Sequence, residues 1–501
     1  MEGYEESEQR GVFAGLWVVG AAVILGLLGD VLCRATPWGL NVVVWTSLLL
    51  GTVSVIRRGG GIVFAGEGRW LLWPTVFFAA TFAWRDSLTL QMINGFALLA
   101  ALALIALRLR TGHLRVMALS EYMTGAWRVL GQSLTGSATV LSADLPWQEL
   151  SSERWVGPAS AVGRGLLIGT PLLLIFWNFF ASADAFFEQL SMSLFEWLFA
   201  HLLTHLFFAA GIAWLCGGFL RETLLAPIWS SPQGSSPPRW TLSIIEICVA
   251  LGLLNLLFLA FVIVQFRYLF GGVETITSSP GLTVAIYARR GFFELVTVSA
   301  LVLPVLLSAH WLLEKNNPRH EQVFYGCAGI LVVLLFVIMG SAMQRMWLYQ
   351  HLYGLTELRF YTTVFMGWLA VVFLWFWATV LRGKRERFAF GVLVSGGVVV
   401  ILLNLFNPDA VIARTNLNRR GAAFDYHYVT SLSADVVPTL VKALPQMNEE
   451  TRQTVLALLR TRWLQTTSND WRSWNWSRAS AVRLVEVRPA SQPTLEGIGR
   501  P

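Results

Sequence analysis

The chain has 501 residues, of which 55% are hydrophobic and 13% are charged, and its net charge is +7. The charged share is about half of that in soluble globular proteins, so a soluble fold of this size would lack the polar residues to cover its surface. We do not expect nucleic-acid binding, because the cytoplasmic loops of membrane proteins carry the same positive excess. The composition therefore predicts an integral membrane protein.

Eleven apolar runs approach or exceed the roughly 20 residues that a helix needs to cross a bilayer. They are continuous rather than alternating, which argues against transmembrane strands. The weakest run is Trp70–Trp84, which is short and lies between Arg69 and Arg85. The fold class is therefore all-α, a polytopic transmembrane bundle of about 11 spans. The predicted spans are Val12–Leu32, Trp38–Ile56, Trp70–Trp84, Leu88–Leu107, Val162–Ala181, Leu194–Leu220, Ser243–Val264, Phe292–Leu313, Val323–Ala342, Tyr361–Leu381 and Phe388–Phe406.

The positions of Lys and Arg predict the orientation of these spans. If the N-terminus is cytoplasmic, the inner segments hold 18 Lys and Arg residues and the outer loops hold 7. Cytoplasmic loops are the ones enriched in these residues. Met1–Gln9 is acidic and no cleavage site follows the first run, so we expect that run to be a retained span. The N-terminus is predicted to be cytoplasmic and the C-terminus to lie outside.

Composition divides the chain into four regions. They are an N-terminal four-span segment (1–107), a cytoplasmic connector (108–161), a seven-span core (162–406) and a C-terminal extramembrane region (407–501). In the connector, His113–Leu134 has helical apolar spacing, which fits either an interfacial helix or a helix packed on the protein. In the last region, Tyr426–Ala443 and Glu449–Leu464 are amphipathic and predict a small helical hairpin, whereas the chain beyond Thr466 is expected to be irregular.

The chain lacks the sequence motifs of nucleotide binding, metalloproteases and serine hydrolases. Its four cysteines lack the spacing of a zinc site or a disulfide framework. His201 and His205 stand four residues apart on one helix face, near Asp184, Glu188 and Glu196. These side chains can bind a metal ion or relay protons, but the favoured interpretation is that the two histidines hydrogen-bond to neighbouring helices and the acids are solvated. We expect no cofactor, and His201 and His205 are weak metal candidates.

Several short segments carry a family resemblance. They are Ser182-Ala183-Asp184, Tyr287-Ala288-Arg289, Gly291–Leu295, Tyr349, Tyr353–Thr356 with Arg359, Asn407-Pro408, Ala413-Arg414 with Asn416, and Asp425, Tyr428, Leu432-Ser433, Asp435 and Pro438. Together they resemble an uncharacterised family of bacterial multi-spanning membrane proteins, the domain of unknown function numbered 4173, over roughly residues 160–445. Thr415 and Arg290 depart from the pattern. The resemblance implies a bacterial cytoplasmic membrane but no known reaction, substrate or cofactor.

An even number of predicted crossings separates these polar segments, so all of them emerge on one side of the membrane. We therefore predict a polar cluster on the outer face. Arginines, carboxylates and tyrosines at such a boundary can form a functional site with strengthened charge-assisted bonds, or can lock loops to helix ends. Both interpretations require that the residues lie close together. The cluster comprises Asp184, Tyr287, Arg289, Glu294, Tyr353, Arg359, Asp409 and Arg414.

Three functions remain open at this point. The first is a non-catalytic component of signalling or envelope assembly that binds a protein partner through its outer C-terminal domain. The second is a transporter or channel for a small solute or ion, and the third is an enzyme for a lipid-linked substrate with Asp184 or Glu188 as base. The absence of catalytic motifs favours the first. The only partner that all three share is the lipid bilayer.

Overall fold

A computed structural model describes residues 2–59, 68–109, 119–145, 156–227, 241–270, 292–314, 317–419, 425–464 and 470–486. Within these ranges the regular structure is helical, and the sole β-type contact is an isolated bridge between Leu242 and Leu313. This confirms the predicted all-α class.

The α-helices are numbered in chain order. They are α1 (Glu2–Cys33), α2 (Leu40–Gly59), α3 (Leu72–Trp84), α4 (Leu88–Arg108), α5 (Leu119–Thr139), α6 (Val156–Ala183), α7 (Ala185–Trp197), α8 (Thr204–Leu224), α9 (Ile244–Phe270), α10 (Phe292–Leu312), α11 (Pro318–Tyr353), α12 (Glu357–Thr379), α13 (Phe388–Phe406), α14 (Pro408–Leu417), α15 (Tyr426–Ser431), α16 (Val437–Ala443), α17 (Glu449–Leu464) and α18 (Trp476–Glu486). A π-helical segment, Leu198–Leu203, joins α7 to α8 without a break.

Ten helical segments of the described chain are long and apolar enough to cross a membrane, which confirms a multi-pass membrane protein. They correspond to ten of the eleven predicted spans, and α7 and α8 together form one of them. The eleventh prediction, Trp70–Trp84, corresponds to α3, which is only 13 residues long. A 3-10 turn, Gly68–Leu71, precedes it.

Although α3 is short, the helix and its preceding 3-10 turn lie beside α4 from one end of α4 to the other. The backbone of Gly68 is so close to Leu109 that a Cβ on Gly68 would lie 2.8 Å from the Leu109 carbonyl oxygen. At the other end, only Arg85, Asp86 and Ser87 separate α3 from α4. With its 3-10 turn, α3 covers about 27 Å, close to the roughly 30 Å of a hydrocarbon core. The geometry therefore fits an eleventh crossing.

The helix ends form two opposite faces. Arg472 of the C-terminal domain (Pro408–Glu486) donates to the Val31 carbonyl near the end of α1 (2.5 Å). We call this end of the bundle the C-terminal face. At the other end, Asp144 pairs with Arg221 of α8 (2.5 Å) and lies against Gly15 of α1. The start of α1 and the C-terminal domain therefore lie at opposite ends, as an odd number of crossings requires.

The buried apolar side chains of the described residues form three groups. One joins α1–α5 with α8, a second joins α9–α13, and the third lies in the C-terminal domain. Helix α8, predicted as part of the seven-span core, thus packs with the first four spans. It lies so close to α1 that a Cβ on Gly26 would be 2.4 Å from the Ala209 carbonyl oxygen. Small residues permit this close packing, which drives helix association in lipid.

Helix α5 has one of the two arrangements that the sequence left open for the connector, because it packs on the protein. Its Gly136 and Ser137 pack against α8, and Arg128 forms an ion pair with Glu222 (2.8 Å). On its other side, Trp127 and Leu134 are exposed. The helix is therefore packed on the protein along one face and presents an apolar stripe along the other.

In the C-terminal domain the second predicted amphipathic stretch forms the continuous helix α17, whereas the first, Tyr426–Ala443, is divided into α15 and α16 by a 3-10 turn, Ala434–Val436. The stripe residues Leu432, Leu440, Val455 and Leu459 are buried, and Leu355 from the turn between α11 and α12 joins the same core. The expectation that the chain is irregular beyond Thr466 was wrong for α18. This helix is ordered because its N-terminal residues bind the turn between α3 and α4, a tertiary contact that local composition does not reveal.

Candidate functional site

The C-terminal domain meets the membrane helices around the turn between α3 and α4. The side chain of Asp435 is buried there, and its carboxylate accepts hydrogen bonds from the backbone N–H groups of Asp86 (2.8 Å) and Ser87 (3.1 Å). Ser87 is the N-cap residue of α4, but its own side chain makes no capping bond. Asp435 therefore caps α4 from a distant part of the chain, and the helix dipole favours its negative charge at that position.

The same domain caps the end of α3. The side-chain amide of Asn475 donates to the carbonyl oxygens of Phe82 (2.8 Å) and Arg85 (2.9 Å). The hydroxyl of Ser477 lies 2.5 Å from the Asp435 carboxylate. The last carbonyls of a helix have no donor within the helix, so a buried helix end needs partners of this kind. Side chains of the C-terminal domain thus cap both helices that meet at this turn.

Two arginines balance the buried carboxylates. The Arg85 guanidinium lies 3.4 Å from Asp435 and donates to the carbonyl oxygen of Asn404 (2.8 Å), near the end of α13. Arg478 forms an ion pair with Asp86 (2.7 Å). Burial raises the pKa of Asp86, and the positive charge of Arg478 opposes that rise. Each carboxylate therefore has a cationic partner, as buried charges require.

A third buried carboxylate, Asp409, follows the sharp turn from α13 into α14. Asn407 adopts a left-handed conformation (φ 54°) at this turn. One oxygen of Asp409 accepts hydrogen bonds from the backbone N–H (3.1 Å) and the hydroxyl of Ser433. Burial raises the pKa of Asp409 to about 6, with further increases from the charges of Asp435 and Glu357 and opposition from the Ser433 hydrogen bonds. Its charge therefore changes near neutral pH.

Three buried polar atoms, one of them in this carboxylate, have no hydrogen-bond partner of normal geometry among the described residues. They are Asp409 Oδ1, Ser87 Oγ and Tyr361 Oη. The Tyr361 hydroxyl lies opposite the Ser87 hydroxyl, so these two groups can form a hydrogen bond with each other. Buried polar groups without partners are rare in proteins, which suggests a place for water or a ligand.

Tyr361 lies at one end of a large groove between the two groups of membrane helices. Helices α3 and α4 form one wall, and α12 and α13 form the other. The groove has a volume of about 910 Å³ and an almost wholly apolar lining that includes Tyr361. Phe96 on its rim is exposed. The size is typical of small-molecule sites.

Some residues of the predicted polar cluster are close together on the C-terminal face. Arg359 donates to the carbonyl oxygens of Tyr353 (3.3 Å) and Gly354 (2.6 Å), and its guanidinium lies 4.1 Å from the centre of the Tyr349 ring. It thereby closes the turn between α11 and α12. Arg414 is exposed on α14, the helix that carries Asp409 in its first turn.

Other predicted members lie elsewhere or outside the described residues. Asp184 is exposed and caps α7 by accepting from the backbone N–H of Phe187 (2.9 Å). It is separated from the start of α8, at the C-terminal face, by about 25 Å of helix. Glu294 is exposed in the first turn of α10. Tyr287 and Arg289 lie outside the described residues, so the grouping of all eight remains a prediction.

His201 and His205, the two candidate metal ligands, contact different parts of the protein. His205 pairs through Nδ1 with Asp30 of α1, whereas His201 stacks on Trp197 with ring centroids 6.4 Å apart. Asp30 also binds Arg34 (2.5 Å). Within the described parts of the chain, there is no group of three or more His, Cys, Asp or Glu side chains that fits a metal ion.

Sequence reasoning missed most of the site at the α3–α4 turn. Arg85, Asp86 and Ser87 had the appearance of an ordinary polar turn between two apolar runs. Asn475 and Ser477 lie in a Ser- and Trp-rich stretch without an apolar period. One signal was present, because Asp435 was among the residues that carried the family resemblance.

Comparison with known proteins places the chain in an uncharacterised family. The profile of a family described as domain of unknown function 4153 matches residues 72–443. The expectation of such a family is thus confirmed, but the number 4173 was wrong. The match begins at the first residue of α3, so it includes Asp86 and Asp409 and ends before Asn475. No curated protein and no solved structure shows a significant match.

Proposed function

We infer for this chain, which belongs to the family described as domain of unknown function 4153, a non-catalytic role in signalling or envelope assembly. The membrane helices hold the C-terminal domain in one orientation, and the domain presents its outward surface to a protein partner. The observation that carries this proposal is the capping of both α3 and α4 by side chains of that domain. Buried ionic and polar contacts cost desolvation energy, and their best-attested use is to specify one arrangement.

Helix α17 offers a surface for such a partner. Its Val455 and Leu459 point into the core of the C-terminal domain. Gln453, Ala457 and Thr461, four residues apart, are exposed. Residues at this spacing share one face of a helix. We propose that this polar face of α17 contacts the partner.

A photocrosslinking amino acid at Ala457 tests the proposal in growing cells. We expect one discrete protein adduct at Ala457. The matched control is Leu99 on α4, an exposed position on a membrane span, which should give no such adduct. Asp435→Asn should weaken the Ala457 adduct, because the domain loses its fixed orientation. A folded protein that gives no adduct at α17 would contradict the proposal.

A membrane enzyme for a lipid-linked substrate is the second candidate. It is supported by Asp409, whose pKa burial raises to about 6 and whose Oδ1 has no described hydrogen-bond partner. A carboxyl group with such a pKa suits general acid–base chemistry at neutral pH. Turnover of a lipid-linked substrate by the purified protein, abolished in Asp409→Asn, would replace the first proposal. Solute flux in proteoliposomes would instead favour a transporter or channel.

We propose a bacterial cytoplasmic membrane as the location, with the start of α1 in the cytoplasm and the C-terminal domain outside. The unequal distribution of Lys and Arg supports this orientation. The position of Gly15 and Arg472 at opposite ends of the bundle is consistent with it.

A further inference from the structure

We propose that the segment Trp471–Trp476 of the C-terminal domain binds the surface of the surrounding lipid leaflet, at the boundary between its headgroups and its hydrocarbon. Three exposed tryptophans make this contact, and we call them the tryptophan patch: Trp471, Trp474 and Trp476. The inference goes beyond the proposed partner-binding role. It depends neither on that role nor on the side of the membrane on which the domain lies.

The segment has the opposite polarity to one that faces water. The three tryptophans are 59%, 43% and 53% exposed, whereas Ser473, Asn475 and Ser477 beside them are 5%, 1% and 7% exposed. Asn475 caps α3 and Ser477 binds Asp435, so hydrogen bonds to the bundle fix which side chains point inward. An indole ring combines a large apolar body with one polar N–H group, and it therefore suits a boundary that is apolar on one side and wet on the other.

The ends of three membrane helices set the height of the segment. The guanidinium of Arg472 donates to the Val31 carbonyl in the last turn of α1 (2.5 Å). The backbone N–H of Leu40, the first residue of α2, donates to the Trp474 carbonyl (2.9 Å), and Asn475 binds the last turn of α3. Membrane spans end where the hydrocarbon ends, and tryptophan is enriched at this level. The lipid that surrounds α1 and α2 therefore ends at the height of the tryptophan patch.

Trp38, in the turn between α1 and α2, belongs to the same face. Its ring is 49% exposed, and its indole N–H donates to the Cys33 carbonyl at the end of α1 (3.2 Å). The Trp38 carbonyl accepts a hydrogen bond from Arg478 of α18 (3.1 Å). Exposed tryptophans thus stand at this level on both the membrane part and the C-terminal domain, as in the aromatic belt of a membrane protein.

The charges beside the patch indicate that a neutral leaflet surface is sufficient. Arg472 forms an ion pair with Asp470 (2.6 Å). Arg483 is exposed, but its guanidinium lies over the Trp476 ring, 5.7 Å from the ring centre. Recognition of anionic lipids by charge uses clusters of about four or more Lys and Arg residues. The aromatic rings, which do not require a charged headgroup, therefore carry the contact.

Electron paramagnetic resonance of the spin-labelled full-length protein in phosphatidylcholine nanodiscs tests the proposal. Each tryptophan of the patch is replaced in turn by a spin-labelled cysteine, in a chain whose native cysteines are alanines. Oxygen concentrates in the hydrocarbon and a nickel chelate stays in water, so the ratio of their collision rates with the label reports its depth. Exposed Gln453→Cys on α17 gives the value for water, and exposed Leu99→Cys on α4 gives the value for hydrocarbon. We expect all three patch positions to lie between these two values.

Removal of two rings tests whether the tryptophans stabilise the segment. Trp474→Ala combined with Trp476→Ala should speed hydrogen exchange of the α18 backbone in nanodiscs, because the segment loses its contact with lipid. Both side chains are exposed, so the core of the domain keeps its packing. The matched control is Trp127→Ala, which removes an exposed tryptophan from α5 and should leave exchange of α18 unchanged.

Five results would overturn the proposal. A collision ratio equal to that of Gln453→Cys would place the patch in water, and one equal to that of Leu99→Cys would place it inside the hydrocarbon. Low collision rates with both reagents would mean that a second copy of the chain or another protein covers the patch. An intermediate ratio found only in nanodiscs with an anionic phospholipid would indicate recognition of a charged headgroup instead. Unchanged exchange of α18 in the double variant would show that the rings do not hold the segment.

Discussion

The carboxylate of Asp435 accepts a hydrogen bond from the backbone N–H of Ser87, a residue 348 positions earlier in the chain (3.1 Å). This contact joins the C-terminal domain to the start of a membrane span. Because Asp435 also lies near Arg85 and Ser477, one buried side chain connects three separate segments.

Asp435→Asn should release the C-terminal domain from the membrane helices. The variant removes a buried charge and leaves Arg85 without its carboxylate, a change that typically costs about 3–5 kcal/mol. We expect a lower thermal midpoint of the full-length protein in detergent and faster proteolysis between α14 and α18.

Asp425→Asn is the matched control for that experiment. Asp425 is exposed and caps α15 by accepting from the backbone N–H of Tyr428 (2.9 Å). Asparagine is an equally good N-cap residue, so this variant should change stability by only a few tenths of a kcal/mol. Equal stability losses in both variants would show that Asp435 has no special role in docking.

Asp409 should make the stability of the protein depend on pH. Burial raises its pKa from 3.8 to about 6, so the folded protein binds the proton more tightly than the unfolded chain does. Its contribution is therefore fully present below about pH 4 and is lost as the pH rises through 6. The cost at neutral pH is on the order of 2–3 kcal/mol.

Asp409→Asn should remove this dependence while keeping an acceptor for Ser433. The measurement is the difference in thermal midpoint between the variant and the wild type from pH 4.5 to 7.5. The variant should gain stability relative to the wild type as the pH rises through this range, and other titrating groups cancel in the difference. A constant difference would mean that Asp409 does not titrate in this range.

The sequence predicted the membrane helices better than the site, for a physical reason. A span needs a continuous apolar run of a set length, and that property is local to each segment. The interactions of Asp435 with Ser87, and of Asn475 with Phe82, join distant polar residues that individually resemble ordinary turn residues. Only the folded chain shows which of these polar residues lie together.

The side of the membrane on which a residue lies and its distance from other residues on that side depend on different properties of the chain. Counting crossings predicts that Arg359 and Asp409 lie on one face, because the number of spans between them sets the side. The count does not give the position of a residue within the membrane plane or its height above that plane. Asp184, for example, lies at the far end of a long helical extension. A count of crossings does not tell how far a helix extends beyond the thickness of the bilayer.

Because α1 packs closely on α8, replacing two glycines of α1 with alanine should affect the stability of the protein differently. A Cβ on Gly26 would lie 2.4 Å from the Ala209 carbonyl oxygen, whereas a Cβ on Gly20 would meet nothing within 4 Å. Gly26→Ala should destabilise the protein by about 1–3 kcal/mol, since the helices must separate. Gly20→Ala should be neutral or slightly stabilising, because alanine favours helix.

Unfolding of the two variants in mixed detergent micelles gives the comparison. If Gly26→Ala were as stable as Gly20→Ala, the close contact between α1 and α8 would be ruled out.

Cysteine labelling decides both the orientation and whether α3 crosses the membrane. Arg58 is exposed at the end of α2, and Gln453 is exposed on α17 of the C-terminal domain. If α3 crosses, the chain passes through the membrane nine times between these positions, and they lie on opposite sides. If α3 does not cross, the number is even and both positions lie on the same side.

In single-cysteine variants of intact cells, a membrane-impermeant maleimide should label Gln453→Cys and spare Arg58→Cys. Labelling of Arg58→Cys alone would invert the proposed orientation. Labelling of both, or of both only after permeabilisation, would remove α3 from the spans and place the two ends of the chain on one side.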